Sequence, residues 1–185
     1  MKKSNTNATE KAHAGGFRQR VREGFFLLIL AVSVYLLVSL ASFSPEDPGW
    51  SFVGPRETPF NAGGPAGAWF SSVFFSLFGL VAFLFPVLVG WSGWLFLKER
   101  TPEDEANIPV IVLRWTGFVV ILVTGCALAV LHLSDFGMGL PEGPGGVLGE
   151  WLNGRLVGAF SRTGTTLFLV ALFLAGITVF TGVSW

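Results

Sequence analysis

The 185-residue chain is 51% apolar and only 13% charged, with 12 Lys and Arg balanced by 12 Asp and Glu. A soluble domain usually carries about 25% charged residues, so the composition argues against a water-facing globule, and the zero net charge gives no reason to expect an extended nucleic-acid surface. The single cysteine, Cys126, cannot build a disulfide framework or a cysteine-based metal site within one chain.

The first sixteen residues, with SNTNATEKAHAGG among them, have too little apolar content to fold, and residues 1–23 are expected to form a partly disordered basic tail. Residues 24–43 follow without a charge. At 1.5 Å per residue they make about 30 Å of helix, the thickness of the hydrocarbon core, and constitute the first predicted span. Basic residues precede this stretch and Ser39-Leu40-Ala41 resembles a cleavage site, but the apolar run is longer than the h-region of a secretory signal. A second uncharged run, 68–97, would be about 45 Å long and must tilt, kink or protrude, with Pro86 as the expected kink. Residues 108–133 form the third predicted span. Its one charge, Arg114, lies near the start, where the side chain can reach back to the headgroups. Residues 163–185 form the fourth.

Between the third and fourth spans, Leu148, Trp151, Leu152, Leu156 and Phe160 recur at helical spacing in a stretch too polar to cross. A short amphipathic helix at the membrane surface is expected there. The predicted fold class is thus an all-α membrane protein with four transmembrane helices. Long loops cover 44–67 and 134–162, and a short one covers 98–107.

Orientation follows from the basic residues, which accumulate on the cytoplasmic side. Lys2, Lys3, Lys11, Arg18, Arg20 and Arg22 precede the first span, whereas the loop after it holds only Arg56. Four crossings then place both termini in the cytoplasm and both long loops in the periplasm.

The two long loops share the phrase GGxxGxW: Gly63, Gly64, Gly67 and Trp69 in the first, Gly145, Gly146, Gly149 and Trp151 in the second. Glycines permit a sharp reversal and close backbone approach before a helix, and each tryptophan suits the interface. If this echo is a repeat, the chain is two tandem helical hairpins. Small residues also recur at spacing four, in Ser72 and Ser76, Gly125 and Ala129, and Ala171 and Ala175. Such pairs allow close helix packing in lipid, within the bundle or between copies of the chain in a homo-oligomer.

Chemistry is sparse. No lysine follows a glycine, so no phosphate-binding GxxxxGK[ST] loop occurs in this sequence, and His13 and His132 stand apart from other metal ligands. His132, Ser134 and Asp135 have catalytic side-chain types, but a triad converges from separate segments, and these sit on a single helix end. No catalytic, cofactor-binding or metal-ligating residue is therefore expected. Asp135 is a candidate structural or partner-contact residue at a span boundary. Residues 43–69, with Trp50, Phe52, Phe60 and Trp69, are the candidate partner-facing surface, since aromatic residues carry binding energy when they fill a partner's pocket. A small transporter or channel is the alternative class, disfavoured because the charges cluster at span ends rather than at the bilayer centre.

SFSPEDPGWS after the first span, NAGGPAGAWFSSVFFSLFG at the second, GPGGVLGEWL before the fourth and the closing TVFTGVSW agree in order and position with one known family. Over residues 21–185 the chain resembles the N-terminal membrane domain of the FtsK/SpoIIIE DNA translocases, most nearly their cell-division branch. That resemblance implies a four-span anchor in the bacterial inner membrane at the division septum, contacting lipid and other division proteins. It also implies a linker and a cytoplasmic ATP-driven motor, through which members form hexamers. No motor motif is present here, so direct nucleic-acid contact is not expected of this chain. Trp185 closes an apolar span without a polar tail, and a longer protein is expected on that ground.

Overall fold

The computed structural model describes residues 2–50, 58–98, 108–136 and 139–182, and every regular element among them is helical. The helices are α1 (Lys2–Ala41), α2 (Gly64–Phe78), α3 (Leu84–Lys98), α4 (Ile108–His132) and α5 (Gly146–Thr181). A 3-10 segment, Gly79–Phe83, joins α2 to α3, and a shorter one, Ser134–Phe136, follows α4. Four helical stretches are long and apolar enough to cross a membrane: Gln19–Ala41, Gly64–Leu95, Pro109–His132 and Gly146–Thr181.

Two boundaries depart from the sequence reading. First, α1 runs back to Lys2, through the tail expected to be partly disordered. Extending an existing helix costs far less than nucleating one, so the apolar span can propagate helix into polar sequence. Second, the break in the long second run is at Gly79–Phe83 rather than at Pro86. Gly79 has φ +56, which L side chains rarely adopt, whereas Pro86 lies in the first turn of α3, where a missing N–H leaves no helical carbonyl without a donor. The residues read as a short helix before the fourth span and as that span are both helical within α5, and they are separated at Ser161, where φ 59 and ψ 168 interrupt the helix.

The spans associate as two antiparallel hairpins. In the first, α1 packs on α3 through glycines: Gly93 lies against Ile29 and Gly90 against Ser33. Ser33 Oγ donates to the Pro86 carbonyl at 2.6 Å, and the Arg22 guanidinium donates to the Leu97 carbonyl near the end of α3. In the second, α4 packs on α5 where Gly117 meets Gly176 and Phe180. Arg162 donates to the Leu131 carbonyl at 2.6 Å, and Arg114 sits beside Gly182, which closes α5 in the left-handed conformation. A guanidinium at a helix C-terminus offsets the partial negative charge of the last carbonyls.

Phe118, Ile121 and Leu122 of α4 form the central core with Leu88 of α3 and Phe180 of α5. Thr116, Thr124, Thr178 and Thr181 turn their hydroxyls onto the carbonyls four residues earlier, which satisfies them where no water is at hand. Large apolar side chains such as Leu27, Leu28, Val112, Leu113 and Leu167 remain exposed, as lipid-facing residues are.

Of the small-residue pairs, Ser72, Ser76 and Ala129 are buried and Gly125 packs against Val81 and Phe173, whereas Ala171 and Ala175 are exposed.

Candidate interaction surface

The first long connection is organised by two buried polar side chains that the sequence reading passed over. Asp47 accepts the N–H of Phe60 at 2.7 Å and that of Asn61 at 2.9 Å, one to each carboxylate oxygen. Asn61 donates in turn to the carbonyls of Ser39 at 2.7 Å and Ser42 at 3.3 Å, and to Ser71 Oγ at 3.3 Å, while its own carbonyl oxygen accepts Gly63 N–H at 2.9 Å. Ser42 Oγ accepts Ala62 N–H and Tyr35 donates to the Gly63 carbonyl at 2.8 Å. Only 6% of Asp47 and 4% of Asn61 are exposed. Two backbone N–H bonds replace the water that burial takes from this side chain. The signal was present in the sequence as an Asp within a Pro- and Gly-rich loop and an Asn two residues before Gly-Gly, patterns common to turns. What could not be read was that the two converge.

On this frame stand the aromatic residues. Trp50, Phe60 and Trp69 each expose more than half of their surface. Gly49 packs so closely on Ser72 of α2 that a Cβ there would collide with it. Phe52 of the same surface lies outside the described residues, as does the side chain of Asp135, whose backbone belongs to the 3-10 segment Ser134–Phe136. His132 Nε2 bonds Thr166 Oγ1 on α5 at 3.0 Å, a link that ties the two spans together. Among the described residues no group of three His, Cys, Asp or Glu could share a metal ion.

The two GGxxGxW phrases have matching geometry. Gly63 (φ −82, ψ 5) and Gly145 (φ −108, ψ 2) are the N-caps, followed by Gly64 at φ +67 and Gly146 at φ +61. Gly64 N–H donates to Asn61 O and Gly146 N–H to Gly143 O, while Gly67 N–H donates to Gly63 O and Gly149 N–H to Gly145 O. In each phrase the first and third glycines press on the preceding span: Gly63 and Gly67 on Ser39 of α1, Gly145 and Gly149 on Cys126 and Val130 of α4. Trp69 and Trp151 are both exposed. The same interval that separates Gly64 from Gly146 also separates the two helix breaks, Gly79 and Ser161.

The halves are joined at the first break. Leu80 N–H donates to the Pro144 carbonyl at 2.8 Å and Cys126 Sγ donates to the Phe78 carbonyl at 3.6 Å, so backbone groups freed by the kink find partners in the second half. Gly146 lies against the backbone of Leu77 and Phe78. Around them Leu40, Phe75 and Ala82 form a second core. The first part of α5 uses Leu152, Leu156 and Val157 to cover Ala127, Leu131 and Leu169, while Trp151 and Phe160 of the predicted stripe face outward, with Arg155 over the Trp151 ring at 3.9 Å.

Comparison with known proteins gives a consistent answer. Residues 18–185 match the family described as the 4TM region of DNA translocase FtsK/SpoIIIE. The chain is 35% identical to DNA translocase FtsK of Vibrio vulnificus over 176 residues, 95% of this chain and 18% of that protein. It is 35% identical to DNA translocase FtsK of Pseudomonas syringae pv. syringae over 167 residues, 90% of this chain and 21% of the other. Against DNA translocase FtsK 2 of Ralstonia nicotianae it is 33% identical over 194 aligned positions, 100% of this chain and 25% of that protein. The chain therefore spans a quarter or less of the relatives it matches. No solved structure matches it.

Proposed function

This chain belongs to the FtsK/SpoIIIE DNA translocase family as its four-transmembrane region, and from that premise we propose that it anchors an FtsK-like motor at the division septum by contacts with other division proteins. Cell division and chromosome segregation are the processes it serves, and the DNA-moving ATPase lies in the part of the protein beyond this region. The observation that carries the reading is the family match along residues 18–185, joined to a first connection whose described ends are pinned together by Asp47 and present aromatic rings. A buried Asp–Asn frame beside exposed Trp50 and Phe60 is what a recognition surface needs, because pre-ordered rings lose little entropy on binding. The arginine and lysine excess before α1 supports cytoplasmic termini, which would turn this surface toward the periplasm. Asp135, beside the second connection, is a candidate second contact, and association between copies of the chain is compatible with the exposed Ala171 and Ala175.

The test is replacement of Trp50 and Phe60 by alanine in the full-length protein in dividing cells. Septal recruitment and co-purification of division proteins should be lost while the protein stays in the membrane at normal abundance. Recruitment that survives the double replacement overturns the assigned surface.

A further inference from the structure

The contacts of α1 with α3 fix a depth scale along the first hairpin. Arg22 meets Leu97, Ile29 meets Gly93, and Ser33 meets Gly90 and Pro86. In an antiparallel pair each residue gained along α1 is matched by about one lost along its partner. Extending that register to Ala41, where α1 ends, reaches the neighbourhood of Gly79 and Leu80. The break therefore stands level with the end of the first span, and residues 79–98 are enough to return through the bilayer. Fifteen α-helical and five 3-10 residues give about 32 Å, close to the roughly 30 Å of the hydrocarbon core.

Residues 64–78 are thus not needed for the crossing, and their two ends lie at similar height. Gly63 and Gly67 touch Ser39, two residues from the end of α1, whereas Leu77 and Phe78 touch Gly146 and Cys126 near the same end of α4. A straight helix with both ends at one level lies across the bundle.

The repeat leads to the same place independently. The counterpart of α2 is residues 146–160, which carry Glu150 and Arg155 and are too polar to cross. The second hairpin repeats the register too, with Gly117 against Gly176, His132 against Thr166 and Arg162 at Leu131, so residues 162–181 span α4 and residues 146–160 are left over.

We infer that α2 is an interfacial helix, seated along the leaflet on the side of the two long connections and contacting its lipid, and that the second membrane crossing is 79–98. This amends both the 68–97 span read from the sequence and the notion of one continuous helix over Gly64–Leu95.

Its side chains fit lipid rather than water. No residue of α2 is charged. Gly67, Ala68, Ser71, Ser72, Phe75 and Ser76 turn inward, while Trp69 and Leu77 are exposed and Phe70, Phe74 and Phe78 half-buried. A row of uncharged rings left partly open on its outer face would be costly in water, but it suits the boundary between headgroups and acyl chains, where Trp is favoured.

Spin labels on single cysteines test the inference in liposomes, with Ala66, Phe70, Val73 and Leu77 reporting α2 and Val87, Trp91 and Trp94 reporting α3. Collision depths along α2 should stay at one level, about 5–10 Å below the headgroups, while those along α3 should change by about 1.5 Å per residue. Depths along α2 that change at the α3 rate overturn the inference. Since labels can disturb packing, the unsubstituted protein should also be photolabelled with lipids carrying a carbene precursor near the headgroup or at the bilayer centre. Labelling of α2 by the headgroup-proximal probe supports the inference, and labelling by the central probe overturns it.

Discussion

Asp47 shows how one side chain can govern a loop. Its carboxylate accepts two backbone N–H groups of this connection, and one of them belongs to Asn61, which ties the end of α1 to α2. Asp47→Ala removes the acceptor of both amides, and for the buried Asn61 N–H that loss costs about 1–3 kcal/mol. The expected result is a lower melting temperature in detergent, read by loss of monodispersity on heating, with Trp50 fluorescence shifting toward that of a solvated ring. Asp47→Asn, which keeps one acceptor oxygen, should lose less. A sequence can display an Asp in a turn, but whether it is solvated or buried depends on what folds over it, and here the cover comes from Gly49 and α2.

At the scale of elements, the recurring GGxxGxW phrase separates two uses of glycine that look alike in the sequence. Gly64 and Gly146 share a positive φ, yet a Cβ at Gly64 would meet nothing within 4 Å, whereas at Gly146 it would lie 2.5 Å from the backbone of Leu77. Gly64→Ala should therefore cost only the left-handed conformation, about 1–2 kcal/mol. Gly146→Ala adds a collision between two backbones and should be the more destabilising by at least about 1 kcal/mol. Thermal unfolding of the two variants side by side checks the ordering, and equal losses would mean that the second connection does not seat against the first break. The same scale explains the misplaced kink. Pro86 is the residue that sequence rules single out, but Leu80 and Phe78 gain partners from Pro144 and Cys126, so the chain can break where the second half supplies hydrogen bonds.

For the whole molecule, four crossings return the chain to the side from which it started, and we propose from the basic N-terminal segment that this side is the cytoplasm. Reporter fusions should show it: a fusion after Gly24 or after Gly182 is expected to read as cytoplasmic, and one inserted after Pro45 as periplasmic. Opposite readings at the two ends would require an odd number of crossings. The number of spans, the helical class and the family were all legible from the sequence, because uncharged runs of about 20 residues have one low-energy fate in a bilayer and that fate depends on composition alone. The GGxxGxW echo was legible too, as a pattern of residue types. Only the tertiary structure decided where the second run breaks, that Asp47 and Asn61 form the frame of the first connection, and that the second connection fills the first break. These features rest on backbone groups finding partners far away in the chain, and a linear pattern holds no record of which carbonyl will be opposite which amide.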